Sequence, residues 1–172
     1  MMEEIIYSVL PFQRVIANDT YLGYQYVILN YNNNPAAYVE IPDGHPLRGN
    51  RKRIQDSIGC HGGITFMENF RGSISRANFP HLVELFGTKF VIGWDYARFG
   101  DYFPTFFMPT NGGKMWTSEE IYSEVIDVIH QLETIRLEAE NNKIKAEIEE
   151  TKAETERLKQ EYKSLQKEKQ DE

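Results

Sequence analysis

Through the first two thirds of the chain, short apolar runs alternate with clusters of glycine, proline and asparagine. Residues 21–29 are rich in aromatic and β-branched side chains, and residues 36–41 resume that pattern after an asparagine-rich turn at 30–35. Such runs favour strands, and turn residues between them favour a hairpin. Two further strands are predicted over 58–67 and 89–94. The last of these is apolar without alternation, which is typical of a central strand.

The C-terminal third follows a helical period instead. Thr117 and Glu120 have the spacing of a capping box, and apolar residues then recur at three- and four-residue steps from Ile121 to Ile135. This pattern predicts a helix that begins near Ser118 and packs its apolar stripe on the sheet. We therefore expect an α+β fold, in which an antiparallel sheet of about four or five strands is packed by one long C-terminal helix.

Shorter elements are indicated by proline and glycine. Pro11 interrupts residues 5–15, so at most a short edge strand is expected there. Residues 42–49 contain two prolines and two glycines and predict a structured loop. One short helical turn is expected up to Ser57, and another helix over 80–86 that ends at Gly87.

Beyond residue 138 the apolar stripe narrows to a seven-residue repeat. One set of positions is Leu137, Ile144, Thr151, Leu158 and Leu165, and the intervening set is Asn141, Ile148, Thr155 and Tyr162. This is a heptad pattern of core positions d and a. It predicts a globular domain over 1–138 and a helical, acidic, coiled-coil-like tail over 139–172. A homomeric coil, a coil with a partner protein and a solvated single helix all remain open. The two threonines predict a weak coil, and Asn141 favours two strands.

Composition and charge exclude several classes of protein. The chain has 172 residues, of which 41% are hydrophobic, enough for one folded domain. Its net charge of -7 comes from the tail: residues 1–116 hold ten basic and ten acidic side chains, whereas residues 117–172 hold nine and sixteen. A neutral body argues against a non-specific nucleic-acid binder. No apolar run approaches the ~20 residues of a membrane span. With one cysteine and no signal-peptide pattern, we expect a cytoplasmic protein.

Two segments hold most of the candidate chemistry. In residues 58–66, glycines on both sides of His61 permit positive φ and close backbone approach, so the imidazole can be presented to a ligand. Residues 93–102 leave a predicted strand with two carboxylates, a guanidinium and several aromatic rings. We expect the two segments to meet in one open pocket. The predicted ligand-binding residues are His45, His61, Gly62, Gly63, Trp94, Asp95, Arg98 and Asp101.

Each candidate residue allows more than one chemistry. His61 could act as a general acid or base, as a metal ligand or as a hydrogen-bond donor to a phosphate. It could also merely cap a tight turn. Asp95 and Asp101 could bind ribose hydroxyls, orient His61 or hold a metal, or they could cap turns. Nothing in the sequence indicates a lowered pKa for Cys60, so a nucleophile is not expected. No ligand-pair spacing supports a metal site, and no cofactor is expected.

Cations and aromatic rings point to the class of ligand. Arg98, with Arg48, Arg51 and Arg53, offers guanidinium groups for phosphate or carboxylate, although a solvated loop explains the last three slightly better. The aromatic residues around residues 94–107 exceed what one strand needs, and some could stack on a base or sugar; they are Trp94, Tyr96, Phe99, Tyr102, Phe103, Phe106 and Phe107. Phosphate-loop, dinucleotide, nucleophile-elbow and kinase signatures are missing.

Four motifs in order support a resemblance: His45-Pro46-Leu47-x-Gly49, His61 to Phe66, Gly93-Trp94-Asp95-Tyr96 with Gly100-Asp101, and Glu119-Glu120 at the helix start. Over roughly residues 38–135 the chain resembles a family of small uncharacterised phage and prophage proteins. The resemblance implies a mobile-element accessory protein. Many such proteins counter bacterial immunity by sequestering a nucleotide signal or blocking a defence protein. Family members often have histidine at the position of Arg98, and the arginine favours an anion contact here.

The leading hypothesis is a phage-type accessory protein, possibly anti-defence in role, that binds a small anionic nucleotide-like ligand without turnover. It would form oligomers through its C-terminal helix. One alternative is a small hydrolase-like enzyme that uses His61 with Asp95 or Asp101. The other is a protein-binding inhibitor that acts through the C-terminal helix.

Overall fold

A five-stranded antiparallel sheet and one long helix make up most of the computed structural model, which describes residues 14–31, 34–102 and 112–168. The fold is α+β, as the sequence predicts. The strands are β1 (Arg14–Tyr21), β2 (Tyr24–Tyr31), β3 (Asn34–Ile41), β4 (Phe66–Asn69) and β5 (Phe90–Asp95), in the spatial order β1-β2-β3-β5-β4. The helices are α1 (Arg51–Ser57), α2 (Ser73–Asn78), α3 (Pro80–Phe86) and α4 (Ser118–Glu168).

Two strand predictions are confirmed. Strands β2 and β3 form the expected antiparallel hairpin, with Tyr26 opposite Val39 and Tyr31 opposite Asn34. Strand β5 lies between β3 and β4, and its residues from Phe90 to Trp94 are buried, as expected of a central strand.

One strand was missed, and one strand prediction is wrong. Strand β1 was missed because most of its side chains are polar and exposed. The predicted strand over 58–67 is largely a loop, and only Phe66 and Met67 belong to β4. Gly62 and Gly63 take φ of 66° and 76°, which strand pairing does not accommodate. An edge strand was expected over residues 5–15. Residues 5–13 of that range lie outside the described residues.

Side chains alternate between the two faces of the sheet, and each face is covered by a different helix. On one face, Val27, Tyr38 and Val91 belong to a buried cluster with Leu82 and Phe86 of α3. On the other face, the Tyr24 hydroxyl donates to Glu133 at 3.1 Å, and the Tyr26 ring lies 6.0 Å from that of Tyr122. Glu133 and Tyr122 both belong to α4. The sheet is therefore the middle layer between α3 and the first turns of α4.

The start of α4 is held by the predicted capping box. The Thr117 amide donates to Glu120 Oε2 at 2.9 Å, and the Glu120 amide donates to Thr117 Oγ1 at 3.2 Å. Five residues of the apolar stripe that follows are fully buried, as expected; they are Ile121, Val125, Val128, Ile129 and Leu132. The last predicted member, Ile135, is only half-buried. Helix α3 ends at Gly87 as predicted, whereas the short α2 was not predicted.

The chain divides into two compact units, Met1–Thr134 and Ile135–Glu172. The described part of the second unit is helical and polar. Among the described residues, no helix combines the length and the apolar character that crossing a bilayer requires.

Candidate functional site

The glycine-rich loop of residues 59–63 is fixed to α4 by one amide side chain. The Gly59 amide donates to Gln131 Oε1 at 2.7 Å, and Gln131 Nε2 donates to the Gly59 carbonyl at 3.0 Å. A Cβ on Gly62 would lie 2.7 Å from Nε of Arg98, so glycine is needed there both for its positive φ and for space. The loop and the segment after β5 are therefore in direct contact.

His61 pairs with Asp101, which confirms that the two candidate segments meet. Its Nε2 lies 2.7 Å from Asp101 Oδ2. The imidazole stacks on the Tyr96 ring, with centroids 5.4 Å apart and planes within 2°, and lies 4.7 Å from the Trp116 ring. The His61 side chain keeps 23% of its surface exposed, whereas that of Asp101 keeps 4%. The structure thus forms a histidine–carboxylate pair within an aromatic cluster.

Several donors stabilise the ionised form of Asp101. Burial acts to raise the pKa of this carboxyl, but it is outweighed by hydrogen bonds from Trp116 Nε1, from the Arg98 amide and from His61, so the pKa lies below its ordinary value. The first two bonds are both 2.8 Å long. Asp101 is therefore the ionised partner of His61 at neutral pH.

This lowered pKa predicts a pH dependence of stability. Asp101 binds its proton more readily in the unfolded chain, so its contribution is complete above the unfolded pKa and is lost as the pH falls through the lower folded pKa. Asp101→Asn should lower the free energy of unfolding at pH 7 and flatten its decline in acid. Urea unfolding between pH 7 and about pH 2 measures both effects. Asp56→Asn, at an exposed position of α1, controls for loss of a carboxylate, and an unchanged acid decline in Asp101→Asn would contradict the prediction.

Glu124 of α4 organises the same cluster, although the sequence analysis did not single it out. Its carboxylate accepts hydrogen bonds from the His61 amide at 2.6 Å, from Trp94 Nε1 at 2.9 Å and from the Tyr96 hydroxyl. Burial, followed by this hydrogen bond to Glu124, raises the pKa of Tyr96. The available signal was a charged side chain beside the apolar stripe, one position before Val125.

Cys60 has no nucleophilic character here, as expected. Burial and the nearby charge of Glu124 raise the pKa of its thiol to about 12. The thiol is therefore protonated at neutral pH and inactive as a nucleophile.

Asp95 and Arg98 form a hydrogen-bonded turn beside the cluster. Asp95 Oδ1 accepts from the Ala97 amide at 3.2 Å, while Oδ2 accepts from Thr65 Oγ1 at 3.3 Å and from Arg98 Nη2 at 3.4 Å. The Asp95 and Arg98 side chains are 39% and 37% exposed. Both are accessible to a ligand from solvent.

A cavity of about 420 Å³ opens between the sheet and α3, next to Asp95. Its aromatic walls include Tyr38, Phe66 and Phe79. Its polar lining residues are Asn34, Thr65, His81 and Asp95. The remaining lining residues are Pro35, Ala36, Leu82, Trp94 and Ala97. Neither His61 nor Asp101 is among the lining residues, so the cavity and the histidine–carboxylate pair are adjacent through residues 94–98 without coinciding.

No family model, curated protein or solved structure matches this chain. The geometry of the site is therefore the basis for any statement about function.

The remaining candidates have other partners. His45 is buried, with Nε2 3.0 Å from the Leu132 carbonyl and Nδ1 accepting from the Leu47 amide at 3.1 Å. These bonds explain His45 as an anchor of its loop on α4. Arg48 donates to the Ile41 carbonyl and Arg51 to that of Met67. None of these contacts joins the His61 cluster.

Two further expectations concern metals and aromatic residues. Among the described residues, no group of three potential ligands is placed to hold a metal ion.

The candidate aromatic residues lie in different places. Tyr96 belongs to the His61 cluster, Trp94 lies between cluster and cavity, and Phe99 is fully exposed. Phe103, Phe106 and Phe107 lie outside the described residues.

Proposed function

We propose that this protein binds a small nucleotide-like ligand without turning it over. The observation that carries the proposal is the cavity of about 420 Å³, which has aromatic walls and lies beside the half-exposed pair of Asp95 and Arg98. Cavities of this volume are typical of small-molecule sites. Flat aromatic walls suit a planar base.

The polar lining favours a ligand that donates hydrogen bonds. The Asp95 carboxylate lines the cavity and has exposed surface. Asn34 Oδ1 is buried, and among the described residues no group donates to it. A buried acceptor without a donor costs about 1–3 kcal/mol, so a ligand amine or hydroxyl would recover this cost. Amino groups of bases and hydroxyls of ribose have this chemistry.

Arg98 supplies the charge for the anionic end of such a ligand. Its guanidinium reaches Asp95 at 3.4 Å, a weak contact that a phosphate could replace with a bidentate one. Ala97 lines the cavity and Arg98 follows it in the chain, so a base inside the cavity would leave the phosphate near Arg98.

The separation of the cavity from the groups suited to catalysis supports binding without turnover. His61 and Asp101 pair with each other and do not line the cavity, and Cys60 is protonated. In the phage setting that the sequence resemblance implies, such a binder would act by sequestering a nucleotide signal.

Titration calorimetry with nucleoside monophosphates, their cyclic forms and the matching nucleosides tests this proposal. We expect saturable binding of at least one phosphorylated compound. Arg98→Ala should weaken that binding at least about tenfold, because a charged bidentate contact is lost. The matching nucleoside should bind more weakly and should not respond to Arg98→Ala. Asp95→Asn should weaken both compounds.

The control is Arg53→Ala, which removes an exposed arginine from α1 and should leave binding unchanged. Thermal unfolding of every variant without ligand shows whether the fold is intact. The proposal is wrong if no nucleotide or nucleoside binds saturably, or if Arg53→Ala and Arg98→Ala reduce binding equally.

The His61–Asp101 pair favours a second candidate, a small hydrolase-like enzyme. A carboxylate 2.7 Å from Nε2 orients the imidazole and leaves Nδ1 as the nitrogen for proton transfer. Hydrolysis of bis(p-nitrophenyl) phosphate that is lost in His61→Gln, with ligand binding retained, would select this candidate over binding alone.

A further inference from the structure

The second compact unit presents an apolar row along an otherwise polar helix. Five large apolar side chains are roughly half exposed; they are Leu137 (44%), Ile144 (46%), Ile148 (48%), Leu158 (54%) and Tyr162 (63%). Their spacings are multiples or sums of three and four residues, which place them on one side of α4. We name this row, with Asn141, Thr151 and Thr155 at the intervening core positions, the heptad seam.

The charges that flank the heptad seam are sorted by sign. The position before each core position a, which is heptad position g, is glutamate at residues 140, 147, 154 and 161. The position after core position d, which is heptad position e, is glutamate at residue 138, lysine at residues 145, 152 and 159, and glutamine at residue 166. Over the three central heptads, one border of the seam is therefore acidic and the other is basic.

This sorting identifies the partner and its direction. In a parallel two-stranded coil, position g of one helix lies beside position e of the next heptad in the other helix. Two copies of this chain in register would pair Glu140 with Lys145, Glu147 with Lys152 and Glu154 with Lys159, each twice by symmetry. An antiparallel pair would instead place glutamates beside glutamates and lysines beside lysines. We propose that residues 135–168 form a parallel, in-register, two-stranded coiled coil with a second copy of this chain.

Pairing with a second copy must replace ion pairs within the helix. Lys152 lies 2.8 Å from Glu149 and Lys159 lies 2.6 Å from Glu156. Both pairs are well exposed, and such pairs are worth only a few tenths of a kcal/mol. They are therefore readily exchanged for contacts across the seam.

The polar core positions are compatible with a weak two-stranded coil. The hydroxyls of Thr151 and Thr155 each donate to the carbonyl four residues earlier at 2.8 Å, so neither needs a partner across the seam. Asn141 at position a favours two strands in register. Glu161 would face the neutral Gln166, so the last heptad adds no ion pair.

Sedimentation velocity of the full chain over a range of concentrations is the first test. We expect a reversible dimer with twice the chain mass of 20.1 kDa. The dimer should weaken at least about tenfold in a triple variant with Lys145→Glu, Lys152→Glu and Lys159→Glu, since every cross-seam pair becomes repulsive. Thr151→Leu with Thr155→Ile should strengthen it by burying more apolar surface.

The matched control reverses three basic residues that lie away from the seam, Lys143, Arg157 and Lys163. It changes the net charge of the same helix equally and should leave the dimer unchanged. A second variant reverses the acidic border with Glu140→Lys, Glu147→Lys and Glu154→Lys. This variant should not pair with itself. Mixed with the lysine-reversed chain, it should restore a dimer, because the borders are again complementary.

Disulfide formation tests direction and register. In a Cys60→Ser background, Asn141→Cys meets its own copy only in a parallel, in-register pair, so we expect an oxidised dimer. Ala146→Cys, on the outer side of the helix, should stay reduced. A monomer at all concentrations, a trimer, equal effects of the two charge reversals or failure of Asn141→Cys to cross-link would each overturn the proposal.

Discussion

Glu124→Ala is expected to lower the free energy of unfolding by about 3 kcal/mol. The change removes the acceptor of the His61 amide, of Trp94 Nε1 and of the Tyr96 hydroxyl. Trp94 and Tyr96 are almost fully buried, so their donors cannot turn to water instead. Trp94 Nε1 keeps a second acceptor, the Tyr96 hydroxyl oxygen at 3.0 Å. The expected loss is therefore dominated by the buried Tyr96 hydroxyl, which is left without its acceptor, and exceeds the net value of ordinary hydrogen bonds.

Urea unfolding followed by tryptophan fluorescence measures this effect. Glu124→Gln keeps one acceptor oxygen and should recover part of the loss. Glu138→Ala changes the same residue type at an exposed position of α4 and should stay within about 0.5 kcal/mol of the natural chain. Equal stability of the Glu124→Ala and Glu138→Ala proteins would refute the role assigned to Glu124.

Gly93→Ala is expected to cost about 3 kcal/mol of stability, although it adds a single methyl group. A Cβ at this position would lie 2.6 Å from Cδ1 of Tyr38 and 2.9 Å from the Ala37 carbonyl oxygen. The ring is packed in the core beneath α3, and the carbonyl belongs to the strand paired with β5. Moving the ring would disturb the packing of the core, and moving the carbonyl would disturb the pairing between β3 and β5.

Gly72→Ala is the matched control, because the nearest atom to its Cβ would be 3.6 Å away and its backbone angle is accessible to alanine. We expect its free energy of unfolding to change by less than about 0.5 kcal/mol. Thermal and urea unfolding of the two variants under one set of conditions give the comparison. A Gly93→Ala protein as stable as the Gly72→Ala protein would show that the sheet accommodates the methyl group.

Elements coded by neighbouring residues were predictable from the sequence. The capping box at Thr117, the hairpin of β2 and β3 and the glycine that ends α3 depend on contacts within a few residues. Strand β1 was missed because an edge strand with exposed polar side chains lacks the alternation that marks a half-buried strand. The segment 58–65 was wrongly predicted to be a strand. Its apolar residues belong to a loop, and the positive φ angles of Gly62 and Gly63 interrupt the extended backbone.

The contact between His61 and the segment after β5 could be predicted from the sequence, whereas the role of Glu124 and the cavity could not. The meeting of His61 with residues 95–101 was expected because each segment lies at the end of a predicted strand, and the 2.7 Å contact with Asp101 confirms it. Glu124 lies 63 residues from His61 in the chain, so its role depends on where α4 crosses the sheet. The cavity depends in turn on the placement of α3, which no local pattern encodes.

The outermost described strands bear on how the sheet behaves at high concentration. Strand β1 has an irregular register between Val15 and Ala17, and β4 has only four residues. Bulges and short outer strands deprive a neighbouring molecule of a flat template for further backbone pairing. Strand-by-strand aggregation of the folded protein is thereby disfavoured, even in a crowded solution.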